Sequence, residues 1–263
     1  MNWRVVGGAL LAALALVVGS SVVAPAPRAA AIIDGRKAAA TDAPYMVAIN
    51  AVDGAVSPDA LDGRPDQWCG GVLLAPTKVL TAAHCVDGVR KSSLRLSVGS
   101  LNRLKGKPAR AKSVWVHPAY NEYTYRNDIA IITLDRKIKG PVAKLATSSS
   151  SEKAGRKASV YGWGITSTSE DPITLRRAVT PIAADATCKA RYKSDFIAAT
   201  MLCTGRKSGG PSPCFGDSGG PLVVGGRVVG VVSWGSACGE PGDYAVYTQV
   251  RAFSKAIAAQ LKR

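Results

Sequence analysis

Histidine is almost absent from this chain, phenylalanine is scarce and acids are heavily outnumbered, and each shortage excludes something. Only His84 and His117 occur in 263 residues, and no Cys-x-x-Cys pair exists, which argues against a zinc centre. Helix-length periodic segments are nearly missing, which excludes a helical bundle. Beyond the first 31 residues no stretch approaches the roughly 18 to 20 apolar residues of a membrane span. Aromatic residues make up 6% of the chain, yet apolar residues reach 47%, too many for a disordered protein.

The N-terminus has its own character. Arg4 precedes an uncharged Val, Ala and Leu run from Val5 to Val18, and Ala29, Ala30 and Ala31 are the small residues that signal peptidase accepts. Residues 1–31 therefore read as a signal peptide of a secreted, extracellular protein. The alternative is an uncleaved anchor, since Val5 to Pro27 carries no charge, but Ser20, Ser21, Pro25 and Pro27 interrupt the run early. Removing residues 1–31 takes Arg4 and Arg28 from the 34 basic residues, leaving 32 against 18 acids, a net charge of +14. The 232 residues that remain suit one domain or two small ones. Export also decides the cysteines: Cys69, Cys85, Cys188, Cys203, Cys214 and Cys238 are an even set in an oxidising compartment, so disulfides are expected, although spacing alone leaves fifteen pairings open.

Short apolar, β-branched runs broken by turn residues recur at Tyr45–Ile49, Gly71–Ala75, Leu94–Val98, Ser113–Val116 and Ile129–Leu134. Ala158–Tyr161, Pro221–Val224, Arg227–Ser233 and Ala245–Val250 repeat the habit after a Pro- and Ser-containing linker at Gly140–Lys157. The pattern is all-β, a sandwich or barrel, closed by one amphipathic helix in which Phe253, Ile257 and Leu261 recur every four residues. Two segments stand out by charge. Ala51–Trp68 carries Asp53, Asp59, Asp62 and Asp66 against Arg64 and reads as a solvated loop, or alternatively a calcium site, though without EF-hand spacing. Leu94–Val116 holds Arg95, Arg103, Lys105, Lys107, Arg110 and Lys112 and no acid; this is either solubilising charge or a surface for an anionic polymer.

The chemistry concentrates in three places. Pro213–Leu222 reads Pro-Cys-Phe-Gly-Asp-Ser-Gly-Gly-Pro-Leu, placing Ser218 in a glycine-flanked turn before a strand, where backbone amides can approach a substrate carbonyl. A serine needs a base, and Thr81-Ala82-Ala83-His84-Cys85 offers one at a strand end. The base needs a carboxylate to fix its tautomer, and Asn127-Asp128-Ile129-Ala130 offers that.

These motifs, with Gly216–Pro221 and Ser233-Trp234-Gly235, resemble the chymotrypsin and trypsin family of serine endopeptidases, of the secreted bacterial type, and their order His, Asp, Ser is that family's. The likeness spans Ile32 to Arg263. It implies two packed antiparallel six-stranded β-barrels (about 32–145 and 146–249) and a terminal helix (about 250–262), with the active site in the cleft between barrels. It implies Ser218 as nucleophile, His84 as base and acid, Asp128 as orienting carboxylate, and an oxyanion hole from the Gly216 and Ser218 amides. It also implies the disulfides Cys69–Cys85, Cys188–Cys203 and Cys214–Cys238, a substrate-pairing strand at Ser233, Trp234 and Gly235, and an ion pair between a freed Ile32 terminus and Asp217. Ala31 stands where such zymogens carry Lys or Arg, so signal peptidase itself would release Ile32, or a second protease would trim after Arg28.

The pocket floor by this likeness is Ser212, with walls at Gly235 and Ala245. A neutral serine cannot pair with a buried substrate cation, so a large apolar or aromatic residue is expected before the scissile bond. Asp243 is the one acid that could restore basic specificity. The alternative in another class is a non-catalytic, basic polyanion-binding homologue. Protein or peptide substrate, a monomeric state, no metal and no organic cofactor complete the expectation; His117, in Val116-His117-Pro118, reads as structural.

Overall fold

The computed structural model describes residues 32–51, 69–165 and 173–263. The expected signal peptide and nearly all of the acidic 51–68 loop lie outside the described residues. No helix among those described is long and apolar enough to cross a membrane.

The first half supplies β1 (Arg36–Lys37), β2 (Met46–Ala51), β3 (Cys69–Ala75), β4 (Lys78–Thr81), β5 (Leu94–Val98), β6 (Lys107–Val116) and β7 (Ala130–Leu134). Strands β2 to β7 close an antiparallel barrel in the order β2-β3-β4-β7-β6-β5. Alternation explains the outer edge: Leu94, Leu96 and Val98 of β5 are buried while Arg95 and Ser97 face partly outward. Strands β2, β4 and β7 are buried almost throughout, and Met46, Ile49, Leu80, Ile131 and Ile132 belong to one apolar core.

The second half supplies β8 (Lys157–Gly162), β9 (Arg176–Pro181), β10 (Met201–Thr204), β11 (Pro221–Val224), β12 (Arg227–Trp234) and β13 (Ala245–Gln249), plus helices α1 (Asp185–Tyr192) and α2 (Ser254–Leu261). Their sheet runs β1-β9-β8-β11-β12-β13-β10. Its far ends meet again: Ile182 bridges Thr204, Ala183 N–H donates to Cys203 and Gly205 N–H to Pro181, so the six longer strands curl back on themselves. Gly225 and Gly226, both at positive φ, make the two-residue turn between β11 and β12.

Three features differ from the sequence reading. Strand β1 and Ile32, though N-terminal, pack with the second half: Arg36 and Lys37 pair with β9, and Ile32 is buried in that core. The helix α1 is an addition, eight residues long and pinned by the Cys188–Cys203 disulfide. The final helix is shorter than expected, because Val250–Phe253 forms a 3-10 turn before Ser254. All three disulfides join the pairs that the family likeness implies, Cys69–Cys85, Cys188–Cys203 and Cys214–Cys238.

Candidate active site

His84 leaves the end of β4 next to Cys85, whose bond to Cys69 ties that turn to β3. Asp128 stands two residues before β7, which is hydrogen-bonded to β4, so strand pairing alone sets the two residues side by side. The Asp128 carboxylate is fully buried and accepts three hydrogen bonds: from the His84 backbone N–H to Oδ1 at 2.9 Å, from His84 Nδ1 to Oδ2 at 2.8 Å, and from Ser233 Oγ to Oδ2 at 2.5 Å. Burial pushes its pKa up, but the adjacent imidazole and these donors outweigh that and hold it below the usual carboxylate range. Because Nδ1 faces a carboxylate it carries the proton, which leaves Nε2 as the basic nitrogen. The Tyr125 ring meets the imidazole edge-on at 5.5 Å.

The second half grips the same carboxylate. In the β12–β13 ladder the register shifts between Val232 and Trp234, and the bulge turns Ser233 onto Asp128. Thr248 of β13 donates to the Asp128 carbonyl at 2.7 Å.

Ser218 lies in the turn before β11, and its carbonyl accepts Gly70 N–H at 2.7 Å. Gly219 N–H donates to Val232 at 2.8 Å, so the serine turn is fastened between β3 and β12. Gly219 has to be glycine: its φ is +77°, and a Cβ there would sit 2.2 Å from Thr81 Oγ1, three residues before His84. Thr81 Oγ1 in turn bonds the Gly70 carbonyl at 2.8 Å.

Asp217 is wholly buried and accepts from Cys214 N–H at 2.9 Å and Gly164 N–H at 2.8 Å. Burial dominates those two donors and pushes its pKa up to about 7. Gly162 and Gly164 floor its cradle; a Cβ on Gly162 would lie 1.9 Å from Asp217 Oδ1. The sequence reading missed these two glycines, whose signal was a pair of glycines flanking Trp163 directly after a strand, a mark of close backbone approach. It also missed Thr81, Thr248 and Tyr125.

Ser212 is buried, bridges Ile33 and donates to the Pro213 carbonyl at 3.0 Å. Asp243 is buried and occupied: its carboxylate accepts from Tyr192 Oη at 3.0 Å, from Ala237 N–H at 3.0 Å and from Ser236 Oγ, with the Arg191 guanidinium 3.8 Å away. Cys69, His84 and Cys85 are the only described group with metal-donor spacing, and since two of them form a disulfide they offer a single imidazole. His117 packs edge-on between Trp115 and Phe253 and links the first barrel to the segment leading into α2.

A histidine held by a buried carboxylate and a glycine-locked serine turn fit a serine protease, and a profile comparison agrees: the trypsin profile matches residues 32–257. The chain belongs to the trypsin family of serine proteases. A trypsin of Saccharopolyspora erythraea is 35% identical over 234 residues, covering 88% of this chain and 98% of that protein. Human kallikrein-7 is 35% identical over 88% of each chain, and rat serine protease 1 is 33% identical over 89% of this chain and 91% of its own. As a family member the chain acts on protein or peptide substrates, and its three disulfides suit an oxidising, extracellular setting.

Proposed function

We propose that the protein is a secreted serine endopeptidase that cuts after large apolar or aromatic residues. Ser218 Oγ attacks the carbonyl, His84 Nε2 takes its proton and later passes it to the leaving amine, and Asp128 stabilises the imidazolium. The Gly216 and Ser218 amides receive the oxyanion, the acyl-enzyme forms on Ser218, and water admitted to the same site releases it. Substrate backbone pairs with Ser233, Trp234 and Gly235. The observation that carries the reading is the Asp128 carboxylate committed to both His84 nitrogens that face it and to Ser233.

Ser212 at the pocket floor and the occupied state of Asp243 favour the apolar preference. A substrate Lys or Arg would enter a pocket whose nearest acid already serves Tyr192, Ser236 and Ala237. An unpaired buried cation costs several kcal/mol. The walls that the family likeness assigns, Gly235 and Ala245, are both small and suit a large apolar side chain.

Activation follows from Asp217. Burial raises the pKa of this carboxylate to about 7, and among the described residues only the Cys214 and Gly164 amides oppose the rise. Ile32 has φ +46°, a strained value for a β-branched residue, and cutting the Ala31–Ile32 bond relieves it while creating an ammonium. That ammonium pairs with Asp217 and sets the oxyanion turn. Signal peptidase is the enzyme that makes the cut.

A peptide series varying only the residue before the scissile bond tests the specificity, with Ser218→Ala as control. Phe, Tyr, Leu or Met should lead Lys and Arg by about ten-fold, or ~1.4 kcal/mol in the transition state. A lead for Lys and Arg would overturn the pocket reading and leave the triad standing.

A further inference from the structure

The protease reading leaves the outer face of the first barrel unused, and that face is more strongly cationic than the linear sequence indicated. Arg103 leaves the group, being buried, with its N–H bonded to Ile173. Other cations replace it. Register sets Arg95 of β5 directly opposite Arg110 of β6, and Lys112 lies two residues further along β6, exposed. Lys91, just before β5, reaches over to donate to the Lys112 carbonyl.

The turn after β7 docks on the same strand. Asp135 N–H donates to the Arg110 carbonyl, and Lys107 Nζ bonds the Lys139 carbonyl, bringing Lys137 and Lys139 to this edge. Asp135 is the only acid in the three segments, and it is taken by Arg136 at 2.9 Å and by Arg110 N–H. No described carboxylate pairs with Arg95, Arg110 or Lys112. Like charges directly opposed across a ladder are destabilising, so a face built this way is complementary to an anion supplied from outside.

We propose that this face binds a linear phosphodiester polymer of the extracellular surface, tethering the protease while leaving its cleft open. Three observations select that partner. Arg110 and Lys112 are two positions apart on β6, within about 7 Å of each other across the register shift between Ala111 and Ser113, and Arg95 on the next strand lies about 5 Å from Arg110; a phosphodiester repeat linked through three carbons spans a similar length, placing single charges against these cations. The segment Leu94–Lys112 contains no Phe, Tyr or Trp, so it has no platform on which nucleic-acid bases would stack. Lys112, its member nearest the cleft, lies four residues along β6 from Val116, which pairs with Ala130 two residues from Asp128, so the face begins about 13 Å from that end of the strand.

The test measures binding of fluorescent poly(glycerol phosphate) by the secreted Ser218→Ala protein across a salt series, with hydrolysis of a short peptide followed in the active enzyme. Arg95→Gln/Arg110→Gln/Lys112→Gln should bind about ten-fold or more weakly and lower the slope of log affinity against log salt by about 2, with peptide hydrolysis unchanged. Lys153→Gln/Arg156→Gln/Lys157→Gln, which removes the same charge from an exposed stretch of the second half, should leave binding within about two-fold. Equal loss in both variants would show a net-charge effect and overturn the proposal, as would absence of binding at 50 mM salt. Equal capture of a sulfated polysaccharide or polyglutamate, with the same sensitivity to the triple variant, would overturn the phosphodiester assignment.

Discussion

A methyl group added at Gly162 tests how the oxyanion turn is built. The new Cβ would stand 1.9 Å from Asp217 Oδ1 and 2.8 Å from Cγ, where ordinary contacts are roughly 3.5 Å. The carboxylate must retreat by about 1.5 Å, and it cannot do so while keeping the 2.9 Å and 2.8 Å bonds from Cys214 and Gly164. Asp217 lies between Gly216 and Ser218, so its movement turns the peptide units whose amides, in the proposed mechanism, receive the oxyanion. Losing one such donor costs about 10²- to 10³-fold in kcat, or ~3 to 4 kcal/mol. Gly162→Ala, in protein that begins at Ile32, should therefore lose kcat by about that factor with KM within about three-fold. Gly140→Ala is the control, since a Cβ there meets nothing within 4 Å. Steady-state hydrolysis of a peptide ester measures both constants, and urea unfolding with near-ultraviolet dichroism verifies the fold. A folded Gly162→Ala protein with kcat within about three-fold of the parent would refute the link from Gly162 through Asp217 to the oxyanion hole.

Other outcomes follow from the same geometry. Ser212→Asp should depress cleavage after Phe or Leu by about ten-fold or more, because it places an unpaired carboxylate at the neutral floor of the proposed pocket; kcat/KM on matched peptides reads this. Ser233→Ala removes one charge-assisted donor from Asp128, worth about 1.5 to 3 kcal/mol, so kcat should fall about ten- to a hundred-fold and the acid limb of the pH profile should move to higher pH as Asp128 loses part of its stabilisation. Asp217 makes the uncut chain pH-sensitive. Its folded pKa of about 7 exceeds the ordinary carboxylate value near 4, so the folded state binds the extra proton, and the stability present at pH 4 falls as pH rises through 7. The loss is on the order of 4 kcal/mol. Urea midpoints at pH 4, 6 and 8 should show it in a Ser218→Ala chain that retains residues before Ile32, and show it much reduced once Ile32 is the free terminus.

What the sequence revealed and what it concealed have physical causes. The His84, Asp128 and Ser218 motifs were legible because their chemistry demands particular residue types at fixed local spacing. Strands with clean alternation, such as β5, were legible for the same reason. Strand β9 was not: it reads Arg-Arg-Ala-Val-Thr-Pro, and it exists because six register pairs with β8 hold it. The helix α1 has no side-chain cap and only eight residues, so its anchor is Cys188, visible only once Cys203 is known to lie opposite. Gly162 and Gly164 were hidden because their partner, Asp217, is 53 or more residues away and the constraint is a lack of space. The basic face was half legible, since burial removed Arg103 while Lys91 and the docked turn after β7, with Lys137 and Lys139, joined it.

The central claim is that Ser218 is a nucleophile activated through His84 and Asp128. Treating the secreted protein with a fluorophosphonate and measuring its intact mass addresses this directly. One adduct per chain, located on Ser218, absent from Ser218→Ala and slowed by several powers of ten in His84→Ala, is the expected result. Unchanged labelling of Ser218→Ala, or no labelling of folded protein that begins at Ile32, would contradict it.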